Sequence, residues 1–213
     1  MKMKDSGIEW LGQIPEHWDV TLVKNYCKSI FAGATPSTKN ESYWDGNIPW
    51  LASGCCQDGD VIEASDFITK EGYENASTKM IHADTTLMAM TGATCSKLGY
   101  LTFDACANQS VAAYVGYPYK LHAKYLFYLL LSARKYVLTF QTGGAQAGVN
   151  IQDCSNLVVP VLPLTEQQSI AEYLDKKCTK IDAIVSNIEQ QIEQYKLLKR
   201  SLINEVVTGR RAI

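Results

Sequence analysis

The sequence predicts an α+β fold in two parts: a strand-rich body over residues 1–163 and one long helix over residues 164–213. Three observations carry this. Short apolar runs in the first part are separated by clusters of Gly, Ser, Thr, Asn and Asp, the punctuation of strands and turns. After Pro163, no Pro or Gly interrupts the chain until Gly209, and apolar residues recur there at helical spacing. Apolar residues make up 46% and charged residues 20%, enough for a core of ordinary size in the first part.

Residues 1–17, which with Trp18 carry SGIEWLGQIPEHW, are punctuated by Gly7, Gly12 and Pro15 and read as an irregular strap whose aromatic residues dock on the body. Residues 20–30 alternate and read as a strand, followed by a loop over 31–40 (FAGATPSTKN). Asp45-Gly46 reads as a turn before a strand through Ile48 and Leu51, and Gln57-Asp58-Gly59-Asp60 as another turn. A short helix is expected within residues 67–75. Leu87 to Met90 form a buried strand, and a Thr-Gly-Ala-Thr turn follows at 91–94. Strands are expected over 98–103 and 107–115. Residues 122–140 show the first helical periodicity, broken by three Gly at 142–150, and 157–161 is an apolar strand. Thr165, with Gln168 three residues on, has the spacing of a capping box for the long helix, and Thr208-Gly209 ends it.

Scored as heptads with Leu174 at position a, the long helix places Leu174, Ile181, Ile188, Tyr195 and Leu202 at a. Position d holds Ile184 and Leu198 but also Lys177, Gln191 and Glu205. Position e holds Cys178, Val185, Ile192 and Val206, with Lys199. The stripe is broader than a two-stranded seam. A helix this long cannot bury a stripe on itself, so it requires another helix or a partner. Its 44 residues span roughly 66 Å at the α-helical rise.

Charge narrows the possible partners. Residues 1–164 carry 12 basic and 15 acidic side chains, and residues 165–213 carry 8 and 7. There is no basic field of the kind that grips nucleic acid without regard to sequence. Seven Cys at 27, 55, 56, 95, 106, 154 and 178 suggest no disulfide framework. The first residues lack the apolar core of a signal peptide, and the longest purely apolar run, 125–131, is too short for a bilayer. The expectation is a cytoplasmic protein with reduced thiols and no membrane partner.

Chemical motifs are missing. There is no G-x-x-x-x-G-K, no G-x-G-x-x-G, no G-x-S-x-G and no Asn/Asp-Pro-Pro-Tyr/Phe. His17, His82 and His122 are far apart and read as surface or capping residues. Cys55, Cys56, Cys95, Cys106 and His82 lack ligand spacing for zinc and read as small buried thiols, so no metal site is expected. These absences point to a binding subunit rather than an enzyme.

Five segments in order carry a resemblance: SGIEWLGQIPEHW, YWDGNIPW, LMAMTGATCSKLGY, NQSVAA, and LVVPVLPLTEQQSIAEYLDKK before the long helix. Together they resemble the specificity (S) subunits of type I restriction–modification systems along nearly the whole chain. The resemblance implies a target recognition domain followed by a spacer helix, and no catalytic residue. It also implies double-stranded DNA, methyltransferase (M) subunits and restriction (R) subunits as partners, with S-adenosylmethionine bound by M and no cofactor in this chain. A full-length S subunit has two such halves in inverted orientation on two antiparallel helices. The present chain has one domain, one helix and no internal repeat. The lone stripe is therefore expected to pair with a second copy as an antiparallel coiled coil, through Leu174, Ile181, Ile184, Val185, Ile188, Ile192, Tyr195, Leu198 and Leu202. Two inverted, identical domains would read a bipartite palindromic site.

The resemblance assigns no base-contacting residue. Chemistry alone favours three loops that offer hydroxyls, amides, Lys or Gly for groove and phosphate contacts. These are Ser37, Thr38, Lys39 and Asn40; Thr91, Gly92 and Thr94 with Lys97; and Gly143, Gly144, Gln146 and Asn150. The alternative reading is a coiled-coil assembly protein with a folded head and no role at DNA.

Overall fold

The strand at Thr85–Ala89 organises the body: all five of its residues are buried. The computed structural model describes residues 2–143 and 147–212. Among these are twelve strands, which we number in chain order: β1 Met3–Asp5, β2 Gln13–Pro15, β3 Asp19–Leu22, β4 Cys27–Ala32, β5 Trp44–Leu51, β6 Gly59–Val61, β7 Asp66–Ile68, β8 Thr85–Ala89, β9 Leu98–Leu101, β10 Cys106–Ala107, β11 Val111–Gly116 and β12 Val158–Val161. The α-helices are α1 Lys70–Asn75, α2 Ala123–Ser132, α3 Arg134–Leu138, α4 Ile151–Ser155 and α5 Leu164–Val207. The chain divides into two compact units, Met1–Ala171 and Glu172–Ile213.

In the first unit, a five-stranded sheet runs in the order β4-β11-β8-β9-β6. It is antiparallel except for the parallel edge pair β6 and β9. Both faces of its centre are covered, which is why β8 reads as an unbroken apolar run rather than an alternating one. Met88, Leu98, Ala112 and Tyr114 share one core with Leu126, Phe127 and Leu130 of α2, Val137 of α3, Cys154 of α4 and Ala171 of α5. Leu87, Ala89, Val111 and Ala113 share the other core with Leu51, Ile81 and Leu101. Each buried Leu or Ile in such a core contributes about 1.5–3 kcal/mol. A three-stranded sheet, β10-β5-β7, carries a third cluster of Trp50, Ile68 and Cys106.

Several elements differ from the sequence expectation, each for a local reason. Residues 1–17 form a two-stranded antiparallel ribbon, Met3 opposite Pro15, rather than an irregular strap. Its Trp10 stacks on Tyr136 at 5.6 Å, as a docked aromatic should. Residues 20–30 split at a 3₁₀ turn, Val23–Asn25, into β3, which pairs with β12, and β4, which pairs with β11. Asp45-Gly46 is a bulge inside β5: the register slips between Trp44 and Ile48, and Asp45 takes a left-handed φ of 58°. Residues 107–115 break at Asn108, whose side-chain oxygen accepts from the Ser110 amide. The periodic stretch 122–140 is two helices meeting at Ala133, the first capped by His122, whose Nδ1 accepts from the Tyr125 amide at 3.3 Å.

The long helix has the bounds the periodicity implies, 164 to 207. Its start is not the Thr165 capping box. The helix already includes Leu164, and the Pro163 carbonyl accepts from the amides of Glu166 and Gln167. Its end is a Schellman motif: Gly209 has φ +73°, its amide donates to the Val206 carbonyl, and the Arg210 amide donates to the Glu205 carbonyl. The first turns belong to the body. Gln167 is fully buried and makes three hydrogen bonds, accepting from the His122 amide and donating to the carbonyls of Lys120 and Leu162. Glu166 accepts from Trp18 Nε1 at 3.2 Å and pairs with His17 at 3.1 Å.

In the second unit, the helix carries its stripe exposed. Ile181, Ile184, Val185, Ile188, Ile192, Tyr195, Leu198 and Leu202 are all exposed large apolar residues, with Ile184 at 59% and Leu198 at 63%. Leu174 and Cys178 are half-buried. No described helix is long and apolar enough to cross a membrane.

Candidate nucleic-acid interface

Strand register, rather than sequence proximity, assembles the site. Ala32 at the end of β4 lies opposite Ala112, Ala89 at the end of β8 opposite Val111, and Leu98 at the start of β9 opposite Met88. Gly59 at the start of β6 lies beside Gly99. Four connections therefore leave or enter one end of the five-stranded sheet: residues 33–40, 53–58, 90–97 and 108–110. The glycine-rich segment after α3 joins them, because Gly148 bridges Thr91 and the Val149 amide donates to the Met90 carbonyl at 2.9 Å. Gly148 is required there, since a Cβ would lie 2.5 Å from the Met90 carbonyl oxygen.

The three loops chosen from sequence are thus carried at one end of one sheet. Thr91 and Gly92 are exposed on a 3₁₀ turn, Gly92–Thr94. Gly92 has φ +69° with open space around its Cα, so the backbone conformation, not crowding, selects glycine. The Thr94 hydroxyl faces the Thr91 carbonyl at 3.4 Å. Lys97 is half-buried and donates to Gln57 Oε1 at 2.8 Å. Ser37, Thr38 and Lys39 are exposed on a loop fastened by two indoles: Trp44 Nε1 donates to the Ser37 carbonyl and Trp50 Nε1 to the Ala34 carbonyl. Gly143 is exposed with φ +104°. Gly144 and Gln146 lie outside the described residues.

Two of the chosen amides have structural work. Asn150 caps α4: its Oδ1 accepts from the amides of Gln152 and Asp153, while Asp153 accepts from the Asn150 amide. Asn40 Oδ1 caps the turn Glu41–Tyr43 by accepting from the amide and hydroxyl of Ser42. Both acceptors are engaged within the fold. Two residues that the sequence reading passed over stand at the same end: Gln109, exposed and bonded to the Thr35 hydroxyl at 2.6 Å, and Gln57. Their only sequence signal was a polar amide between two apolar runs.

The electrostatics are mild. Lys39 and Lys97 are cations of this end, and Arg134 is held by Asp58, which also accepts from the Leu98 amide. The surface offers hydroxyls, amides and turn backbone, the groups that contact base edges and phosphates, without a strong positive field.

The opposite end of the sheet contrasts with it. There a cleft of about 580 Å³ is lined by His82, Asp84, Tyr100, His122, Leu164 and Gln168 among others. Several of its polar groups are paired: His82 Nδ1 with Asp104 at 2.9 Å, and Tyr100 OH donating to Asp84 at 2.9 Å. The Ala83 amide and then His82 hold the Asp104 carboxyl below the usual range.

Among the described residues, no group of three or more metal-ligating side chains forms. Cys56, Cys95 and Cys106 lie in three different cores. Burial pushes Cys27 up to about 12 and Cys106 and Cys154 up to about 11, the behaviour of inert packed thiols.

Comparison with known proteins agrees with this architecture. Residues 15–194 match the family model described as "Type I restriction modification DNA specificity domain". The chain is 27% identical over 201 residues to the EcoR124I/EcoR124II specificity subunit of Escherichia coli, covering 91% of this chain and 46% of that one. It is 25% identical over 193 residues to the MjaIX specificity subunit of Methanocaldococcus jannaschii, covering 86% and 42%. It thus spans about half the length of the curated relatives it matches. Two solved structures share the fold. A chain from a type I restriction–modification system aligns with a TM-score of 0.72 at 17% identity, covering 90% of this chain and 46% of its own. The HsdS subunit from Thermoanaerobacter tengcongensis aligns at 0.61 and 19%, covering 85% and 41%.

Proposed function

The chain belongs to the type I restriction–modification DNA specificity family, and from that premise we propose that it is a non-catalytic subunit whose sheet-end loops read one half of a bipartite DNA site. The observation that carries this reading is the register-driven convergence of residues 33–40 and 90–97 with residues 142–143 and 147–150 on one end of the sheet. With few cations there, base and backbone contacts from hydroxyls and amides dominate over long-range attraction, so DNA binding by the isolated chain is weak.

We further propose that two copies pair through the exposed stripe of α5 as an antiparallel coiled coil. Such pairing places two identical bodies in inverted orientation on a palindromic bipartite site. Leu197 and Ile203 are exposed but fall off the stripe. They favour a separate contact, with M subunits that bind S-adenosylmethionine and methylate adenine, and R subunits join that complex.

Methylome sequencing of cells expressing this chain with its M subunit tests the reading. A bipartite, palindromic adenine motif that disappears with this chain is the expected result. A bipartite motif without the palindrome removes the homodimer and keeps DNA recognition. The absence of any chain-dependent motif removes both.

A further inference from the structure

Residues 53–58, one of the four sheet-end connections, hold two adjacent cysteines that DNA reading does not use. Cys55 and Cys56 are both reduced, with their sulfurs 3.9 Å apart. The short 3₁₀ turn Ser53–Cys55 fixes the pair: the Cys55 amide donates to the Ala52 carbonyl at 3.0 Å and the Cys56 amide to the Ser53 carbonyl at 3.2 Å. Their surroundings differ. Cys56 is fully buried, whereas Cys55 is half-buried. The hydrogen bond with Cys56 holds the Cys55 thiol below its usual range, while its neighbour and burial push Cys56 far up. The half-buried sulfur of Cys55 is thus the one a solute reaches, with the Cys56 thiol packed behind it at 3.9 Å. The remaining buried thiols are not so equipped: Cys27, Cys106 and Cys154 are pushed up by burial, and the Cys95 thiol donates to the Met90 carbonyl.

We propose that Cys55 and Cys56 are a modification site for hydroperoxides, which convert the pair to a vicinal disulfide and release the loop end beside it. In the first step the Cys55 thiolate attacks the peroxide oxygen. An S–O bond forms, the O–O bond breaks, the sulfur is oxidised by two electrons to a sulfenic acid, and the alkoxide or hydroxide leaves and takes up a proton. The Cys56 sulfur then attacks the Cys55 sulfur. The S–S bond forms, the S–O bond breaks, and the oxygen leaves as water with the Cys56 proton. Two thiols and one hydroperoxide become one disulfide, one water and one alcohol, or a second water.

Bringing the sulfurs from 3.9 Å to bonding distance must turn both side chains and the peptide between them. The next residue, Gln57, donates to the Gly54 carbonyl at 2.8 Å and accepts from Lys97. Asp58 follows, in a left-handed conformation at φ 68°, and accepts from the Leu98 amide. Closure of the ring therefore pulls on the contacts that tie residues 53–58 to residues 90–97. Only its effect on DNA reading rests on the function proposed above.

The test uses the full reduced chain and hydrogen peroxide in stoichiometric amount, read by intact mass and peptide mapping. Expected is the loss of two hydrogens on the peptide carrying Cys55 and Cys56, restored by dithiothreitol. The Cys56→Ser variant should stop at a Cys55 sulfenic acid that dimedone traps. No change in mass, oxidation of other cysteines first, or higher oxides on Cys55 without a disulfide would each overturn the site. Amide hydrogen exchange on the wild-type protein reads the consequence without DNA. Faster exchange over residues 90–97 after oxidation is expected, and unchanged exchange overturns the coupling of the pair to the loop. Neither readout depends on whether the chain binds DNA.

Discussion

Leu98 in β9 and Leu198 in α5 are the same residue in opposite situations: the first is fully buried, the second 63% exposed. The contrast holds across the two units. In the first, every large aliphatic side chain of the central strands meets others from the same chain, with Leu87, Met88, Leu98 and Leu101 all at 0% exposure. In the second, Ile181, Ile184, Ile188, Ile192, Leu198 and Leu202 lie along one helix and are exposed. A body satisfied by its own core needs no partner to fold. A helix that displays Ile181, Ile184, Ile188 and Leu198 gains stability only when something else covers them.

The largest effect expected from this contrast is in the body. Leu126→Ala, at 1% exposure against the sheet, removes a buried side chain and leaves a cavity. It should lower the unfolding free energy by about 2–5 kcal/mol in denaturant titration, at any protein concentration. The next is in the helix. Ile184→Glu with Ile188→Glu should weaken self-association at least about a hundredfold in light scattering, while the body's unfolding midpoint stays put. A protein that is strictly monomeric before substitution would break the comparison instead.

Smaller effects sharpen it. Gln167→Leu leaves the His122 amide and the carbonyls of Lys120 and Leu162 without their partner. It should cost roughly 2–3 kcal/mol in body stability, read by thermal unfolding, despite lying in the long helix. Asn150→Ala should cost about 1 kcal/mol through loss of the α4 cap, a fall that marks the residue as structural. The smallest belongs to Leu197→Ala. This exposed residue lies off the stripe, so body stability and the strength of any self-association should both hold within about 0.5 kcal/mol.

The long helix was legible in the sequence, apart from how its first turn is capped, because 44 positions of one period overwhelm local noise. The interior strand β8 was legible for a related reason: burial on both faces leaves a continuous apolar run. Short elements were not. The five-residue α4 is barely one turn, too little for periodicity, although Asn150 and Asp153 carried its capping box in plain sight. The split of residues 20–30 escaped because Val23 is as apolar as a strand residue and is fully buried in the turn. The candidate loops were chosen one at a time by composition. Their meeting at one end of the sheet was out of reach, since it follows from the strand order β4-β11-β8-β9-β6, and pairings between distant segments leave no local mark.

That strand order has a consequence for how such a surface changes over time. The four connections hang on strands whose registers are fixed by two buried cores, not by the loops themselves. Doubling the length of a flexible loop costs only about 0.6 kcal/mol in closure entropy. Substitutions at the exposed positions of these loops, 37–39, 91, 93 and 109, can therefore accumulate with little penalty, whereas the sheet and the buried Cys56, Met90 and Cys95 tolerate almost none. The body is a fixed chassis with exchangeable tips, and grafting those tips between relatives is the economical route to new preferences.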